Sequence, residues 1–347
     1  MSDAWRERLT RARTISVLER LKDRVRAFSP GDRVLFYALA MLVGIASLLG
    51  LYRLEQSLLV EVPAYGGTLI EGAVGSPQNI NPLLAVSDAD RDLSALVYAG
   101  LMGLSGKGEL VPVLAESYTL GDGGRTYTFT LRKNAVFSDG TPVAADDIVF
   151  TVEKAQNATL KSSKYADWSG VSVTAVDSRT VRFTLARPYA PFLWLTTLGI
   201  LPSHIWRNIS NEEFPSFSTL ETSLVGAGPF TVASVSRASK LIKSVSLDAN
   251  PRYAPGRPYL DRIRFDFYSR SEDLASARVG GAVESARGVV ADGALTAPYA
   301  RVFGVFWNQD EKHVYARAEV RKALSLALNR PALIDTVLGG YATAIMG

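Results

Sequence analysis

Three stretches hold side chains at spacings that could support chemistry. Gly103-Leu104-Ser105-Gly106-Lys107-Gly108 has the glycines and the lysine of a phosphate-cradling loop. That loop also needs a glycine where Leu101 stands and a magnesium-binding hydroxyl where Gly108 stands, so a turn is expected here. Asp88-Ala89-Asp90-Arg91-Asp92 has the alternating carboxylates that open a calcium loop, but Leu93 replaces the turning glycine and Ala99 the bidentate glutamate. These acids fit the start of a helix better. Asp146 and Asp147 form an adjacent carboxylate pair. Neighbours on a helix diverge by about 100°, so the two cannot face one site; at a helix amino terminus they would complement the backbone dipole.

The wider inventory is also poor in catalytic groups. The 347 residues include no cysteine and two histidines, His204 and His313. A disulfide framework, a thiolate metal site and a cysteine nucleophile are therefore excluded, and no G-x-S-x-G or H-E-x-x-H motif is present. We expect no metal, no cofactor and no enzymatic activity. Residues 1–33 hold nine Lys/Arg against five Asp/Glu, and the remainder 29 of each. The net charge of +4 thus belongs wholly to the amino-terminal segment, and a neutral body argues against nucleic acid as a partner.

Val34 to Tyr52 is a run of nineteen uncharged residues. At 1.5 Å per residue it spans roughly 28 Å, close to the hydrocarbon thickness of a bilayer. We read residues 34–52 as a transmembrane helix and signal anchor, with residues 1–33 a basic cytoplasmic segment and the main domain extracytoplasmic. Leu18, Leu21, Val25 and Phe28, among basic residues, suit an amphipathic helix on the inner leaflet or an ordinary solvated one. Residues 53–65 make a short tether.

The body reads as mixed α/β. Thr126–Arg132 alternates as a half-buried strand, with Gly121–Gly124 turning it against Ser117–Leu120. Val171–Val176 and Val181–Leu185 form a second hairpin, and Arg262–Phe267 alternates with Ile263, Phe265 and Phe267 inward. Ser87 and Asp90 make a capping box for a helix through Leu93, Leu96 and Val97. Val320, Ala323, Leu324, Ala327 and Leu328 trace an amphipathic helix ended by Pro331, and a further helix, Ala332–Leu338, stops at Gly339-Gly340.

Taken in order, several segments resemble the family 5 extracellular solute-binding proteins, the oligopeptide-, dipeptide- and nickel-binding receptors of ABC importers. They are Gly66–Gly72, Ser76-Pro77-Gln78-Asn79-Ile80-Asn81-Pro82, Tyr98-Ala99-Gly100-Leu101 and Leu114–Tyr118. The most specific run is Phe129-Thr130-Leu131-Arg132, Phe137-Ser138-Asp139-Gly140-Thr141-Pro142 and Asp146-Asp147-Ile148. Leu201–His204, Gly226-Ala227-Gly228-Pro229-Phe230, Asn250–Tyr253, Phe306-Trp307-Asn308 and Val320–Leu324 follow. Two departures stand out. Ala144 replaces the usual capping threonine before Asp146, and Ala282-Val283-Glu284 stands in place of an acidic G-x-x-D position. Family members continue well past this length, so a partial chain is expected.

The resemblance implies a two-lobe fold of the type II periplasmic-binding-protein kind, with residues 66–265 as lobe one and 266–347 as the beginning of lobe two. It also implies a peptide or small-solute ligand between the lobes, ABC permease subunits as partners, and the lipid bilayer as the anchor's medium. The candidate ligand-binding residues are Ser76, Asn79 and Asn81 in the loop, Gly226 and Gly228 where backbone can approach closely, Trp168, and Asn308. Two other classes stay open on the residues alone: a non-transport extracytoplasmic sensor or scaffold, and a surface-tethered hydrolase.

Overall fold

A computed structural model describes residues 24–59, 62–217, 224–239, 241–287, 303–305, 307 and 314–345. The chain divides into two units, Met1–Ala64 and Tyr65–Gly347. The expected positions Leu18, Leu21, Asn308 and His313 lie outside the described residues.

In the first unit, helix α1 runs Pro30–Leu58. Ser29 caps it, its Oγ accepting from the Asp32 N–H at 3.3 Å, and Pro30 supplies a first-turn φ at no hydrogen-bond cost. Pro30–Glu55 is long and apolar enough to cross a membrane, and none of it is buried. The expected uncharged run falls inside this helix.

The second unit is built on two larger sheets. Strands β1 (Thr68–Val74), β2 (Met102–Leu104), β3 (Leu110–Pro112), β4 (Ala115–Gly121), β5 (Thr126–Leu131), β6 (Val171–Asp177), β7 (Thr180–Leu185), β8 (Phe230–Ala238), β9 (Leu241–Ala249), β10 (Arg262–Tyr268) and β11 (Ser285–Ala286) are joined by helices α2 (Asp88–Val97), α3 (Ala145–Ala155) and α4 (Ser271–Val279). The five-stranded sheet has the order β11-β1-β10-β9-β8. Within it β1 is parallel to both β10 and β11, while β10–β9 and β9–β8 are antiparallel. The antiparallel sheet β4-β5-β7-β6 and the small β2–β3 hairpin lie in the long excursion between β1 and β8. β10 and β11 share a sheet with β1, so that sheet continues beyond residue 265, where the first lobe was expected to end.

The sequence periodicities become packing. On β5 and β7, Tyr127, Phe129, Leu131, Val181, Phe183 and Leu185 are buried, and the intervening threonines and Arg182 line the other face. Phe129, Phe183, Phe192 and Trp168 meet edge-on or tilted, with ring centroids 5.4 to 6.0 Å apart. Each such ring taken fully from water contributes about 1.5–3 kcal/mol. The β4–β5 turn places Asp122 (φ 50°), Gly123 (φ 61°) and Gly124 (φ 91°) in the left-handed region, which explains its glycines. The Gly103–Gly108 stretch forms the β2–β3 turn, with Gly108 N–H bonded to Ser105 O.

Two helices follow near the carboxyl end, α5 (Ala318–Ala327) and α6 (Arg330–Leu338). Pro331 does not simply end α5. Asn329 caps α6, accepting from the Ala332 N–H at 3.1 Å, and Pro331 sits in its first turn. Gly339 ends α6 with φ 55°. The apolar face expected on α5 has no cover among the described residues, and Leu324, Leu326 and Leu328 are exposed.

Among the described residues, two buried side-chain atoms lack a hydrogen-bond partner, the Tyr98 hydroxyl and Arg179 Nε. Tyr98 is fully enclosed, and its hydroxyl meets no hydrogen-bonding atom. Burial pushes its ionisation well above the ordinary tyrosine value, so it stays neutral. Removing that hydroxyl removes an unmet desolvation cost of about 1 kcal/mol or more. We predict that Tyr98→Phe keeps or raises the stability of the detergent-solubilised chain in urea unfolding, and that a loss of about 1 kcal/mol or more would reveal a partner for the hydroxyl.

Candidate functional site

The loop Ser76–Asn81, between β1 and α2, is held at three points. Ser87 and Asp90 form the expected capping box: Ser87 Oγ accepts from Asp90 N at 3.1 Å, and Asp90 Oδ2 accepts from Ser87 N at 3.2 Å. The other Asp90 oxygen reaches back to the loop and accepts from the N–H groups of Gln78 at 2.6 Å and Asn79 at 3.0 Å. Asp90 is buried, and three backbone N–H groups satisfy its carboxylate. Ser76 Oγ donates to Ile242 O at 3.3 Å and accepts from Ile242 N at 3.2 Å, fixing the loop to β9. Asn81 is buried and turns its own backbone, its Oδ1 accepting from Leu83 N at 2.9 Å. Gln78 is exposed and Asn79 half-buried, so the loop offers these two side chains outward on a fixed main chain.

The second candidate segment, Gly226–Pro229, packs on the other end of α2. A Cβ on Gly226 would lie 2.1 Å from Val97 O, and one on Gly228 would lie 2.4 Å from Leu96 O. Both glycines are therefore required by packing. Their N–H groups are used inside the protein: Gly226 N donates to Ser138 Oγ at 3.4 Å, and Gly228 N to Val97 O at 2.9 Å. Gly226 O accepts from Ser138 N at 2.9 Å, and Gly228 O from Asn250 Nδ2 at 2.8 Å. Asp90 and Val97 are seven residues apart on α2, or about 10 Å along its axis. The two candidate segments thus lie at opposite ends of one helix. Trp168 lies in the aromatic core against Phe183 and Phe192. It lines an apolar void of about 10 Å³ with Leu101, Ile148, Val152 and Phe183, no larger than a single water needs.

Two other carboxylates organise the same region. Asp147 Oδ2 accepts from Ala144 N at 2.8 Å and Oδ1 from Ser203 N at 2.8 Å, so one half of the capping box survives although Ala144 has no acceptor to return. Asp139 lies 2.8 Å from His204 Nε2 and accepts from Thr141 N at 2.9 Å. Burial alone would raise the Asp139 carboxyl, but the Thr141 N–H and His204 outweigh it and hold the group below its ordinary value. Arg252 completes the turn by donating to Ser138 O at 2.7 Å. Among the described residues no cluster of three His, Asp or Glu side chains could hold a metal ion. Asp90 as loop organiser was not anticipated from sequence beyond its capping role; its S-x-x-D spacing, one short loop after Gln78, is the signal that could have found it.

Residues 109–347 match the model of the bacterial extracellular solute-binding proteins, family 5 middle region. The chain belongs to family 5. This solute-binding protein is 27% identical over 296 residues to the oligopeptide-binding protein AppA of Bacillus subtilis, a match covering 80% of this chain and 53% of AppA. It is 30% identical over 291 residues to Protein XP55 of Streptomyces lividans, covering 79% and 52%. The chain thus spans about half the length of the curated relatives it matches. In three dimensions it is similar to AppA in complex with a nonapeptide, at TM-score 0.65 over 80% of this chain and 57% of that one, with 27% identity. NikZ of Campylobacter jejuni, at 23% identity and TM-score 0.63 over 80% and 56%, shares the fold. The architecture is that of the type II periplasmic binding proteins, and family 5 proteins bind solutes without converting them.

Two predictions follow from this geometry. Asp90→Asn turns an amide N–H₂ toward backbone donors and leaves at least one unmet, so stability should fall by about 1–3 kcal/mol and the Gln78 and Asn79 amides should exchange hydrogen faster. Unchanged exchange at those amides would rule out the organising role. For Asp139 the folded pKa lies below the unfolded one. Its contribution is therefore complete above about pH 4 and is lost as pH falls through the lower folded value. The stability of wild type and Asp139→Asn should converge at acid pH and separate above about pH 4, as read from urea unfolding across pH.

Proposed function

We propose that the chain is the membrane-anchored receptor of an ABC importer, which captures peptides or a related small solute between two lobes and delivers them to permease subunits. The observation that carries this reading is the family match over residues 109–347, joined to the structural likeness to AppA with its nonapeptide. In this reading α1 crosses the bilayer. Nine Lys/Arg in residues 1–33 favour a cytoplasmic amino terminus, which puts the second unit outside. Lobe one extends through β11, since that strand still pairs with β1, and lobe two begins beyond residue 286.

A receptor for peptides of varied sequence must hold the peptide main chain and leave room for side chains. The loop Ser76–Asn81 suits the first task, because Asp90 and Ile242 fix its backbone while Gln78 and Asn79 face outward. Ser76 and Asn81 support the loop from behind. Gly226, Gly228 and Trp168 serve the site by stiffening the wall that carries it. Asn308 retains its proposed place at the start of lobe two. Closing two rigid walls on a solute buries it and yields affinity without chemistry.

Binding to the folded state stabilises it by RT ln(1 + [L]/Kd), about 2.7 kcal/mol at a hundredfold excess over Kd. We expect the full chain in detergent to unfold at higher temperature with at least one member of a defined peptide library, the shift growing logarithmically with concentration. The absence of any shift across the library would remove peptides as the ligand class.

A further inference from the structure

The second unit begins at an exposed aromatic pair. Tyr65 and Tyr259 lie tilted against each other with ring centroids 4.8 Å apart, and the Arg257 guanidinium lies 5.5 Å from the centre of the Tyr65 ring. Gly66 N donates to Tyr259 O at 2.8 Å, and Arg257 is also paired with Asp261. The cluster is therefore rigidly mounted at the start of β1. Yet its rings face solvent: Tyr65 is 65% exposed and Tyr259 50%. Exposed rings with polar tips beside a cation have the chemistry that partitions to the boundary between lipid and water, where the phenol meets headgroups and the guanidinium meets phosphate.

Chain length brings one such boundary within reach. The uncharged run ends at Tyr52 and α1 continues to Leu58, adding about 9 Å, or roughly one headgroup layer. Leu59 to Tyr65 is seven residues, which extend at most about 25 Å. Tyr65 is thus tied by a short covalent leash to the edge of the proposed bilayer span.

We propose that Tyr65, Arg257 and Tyr259 form a membrane-seating surface. The two rings rest among lipid headgroups and Arg257 against lipid phosphate, so the solute-binding domain presents a fixed face to the bilayer. This rests on the reading of α1 as a membrane anchor, and the test separates the two.

The chain has no cysteine, so a single introduced thiol can report position. A fluorophore would be placed at Pro255→Cys beside the cluster, at Ser178→Cys in the β6–β7 turn, or at Ala46→Cys inside α1, each in the full chain reconstituted into phosphatidylcholine–phosphatidylglycerol vesicles. Headgroup nitroxides should quench the probe at 255 several-fold more than the probe at 178, and Arg257→Gln with Tyr259→Ser should bring the 255 signal down to the 178 level. Acyl-chain nitroxides should quench the probe at 46. Equal quenching at 255 and 178, with the probe at 46 quenched, overturns the seating surface and leaves the anchor. Strong quenching at 255 that survives the double substitution overturns the assignment to these residues. No acyl-chain quenching at 46 overturns both.

Discussion

The candidate loop depends on one buried carboxylate. Asp90 takes three backbone N–H groups, one from its own helix cap and two from Gln78 and Asn79. A buried charge is tolerable only when its hydrogen-bonding capacity is met, so the loop and the first turn of α2 hold each other in place. Farther along the helix, Asp92 pairs with Arg287 just past β11 at 2.8 Å, and at the far end the Val97 carbonyl receives Gly228. One ten-residue helix thus ties together the loop after β1, the segment before β8 and the end of the five-stranded sheet. A movement of α2 would be felt at all three.

Much of this was legible in the sequence because it is local. The alternation in Thr126–Leu131 and Thr180–Leu185, the capping box at Ser87 and the turn glycines at 121–124 encode their structures within a few residues. The family motifs also appear in order, and the fold they imply is the one observed. What could not be read was pairing at a distance. No local pattern says that β1 lies between β10 and β11, that Ser76 bonds to Ile242, or that Gly226 and Gly228 press on the end of α2. The same limit explains the site residues. A loop asparagine, a core tryptophan and a motif glycine look alike in sequence whether they touch a solute or support the wall behind it. Here Asn81, Trp168 and the two glycines have their polar groups or surfaces occupied within the protein.

Holding a solute needs stiffness more than reactivity, and the packing of the described residues suits that. The aromatic core around Phe183 packs against one face of the four-stranded sheet, while Asp139, Ser138, His204 and Arg252 fasten the turn beside Gly226 with polar bonds. Each fixes a piece of backbone that a mobile ligand could then find already in position.

The parallel pairing of β1 with β10 also governs the order of assembly. As the polypeptide is made, Thr68–Val74 has no neighbouring strand until Arg262–Tyr268 has been synthesised, whereas β4–β5 and β6–β7 close as short hairpins and join through β5–β7 once Leu185 has emerged. Non-local strand pairing is slow and leaves an open edge while it waits. The nascent chain should therefore carry a finished four-stranded island beside an uncommitted leading strand. Any chaperone that protects it would find its target in Thr68–Val74.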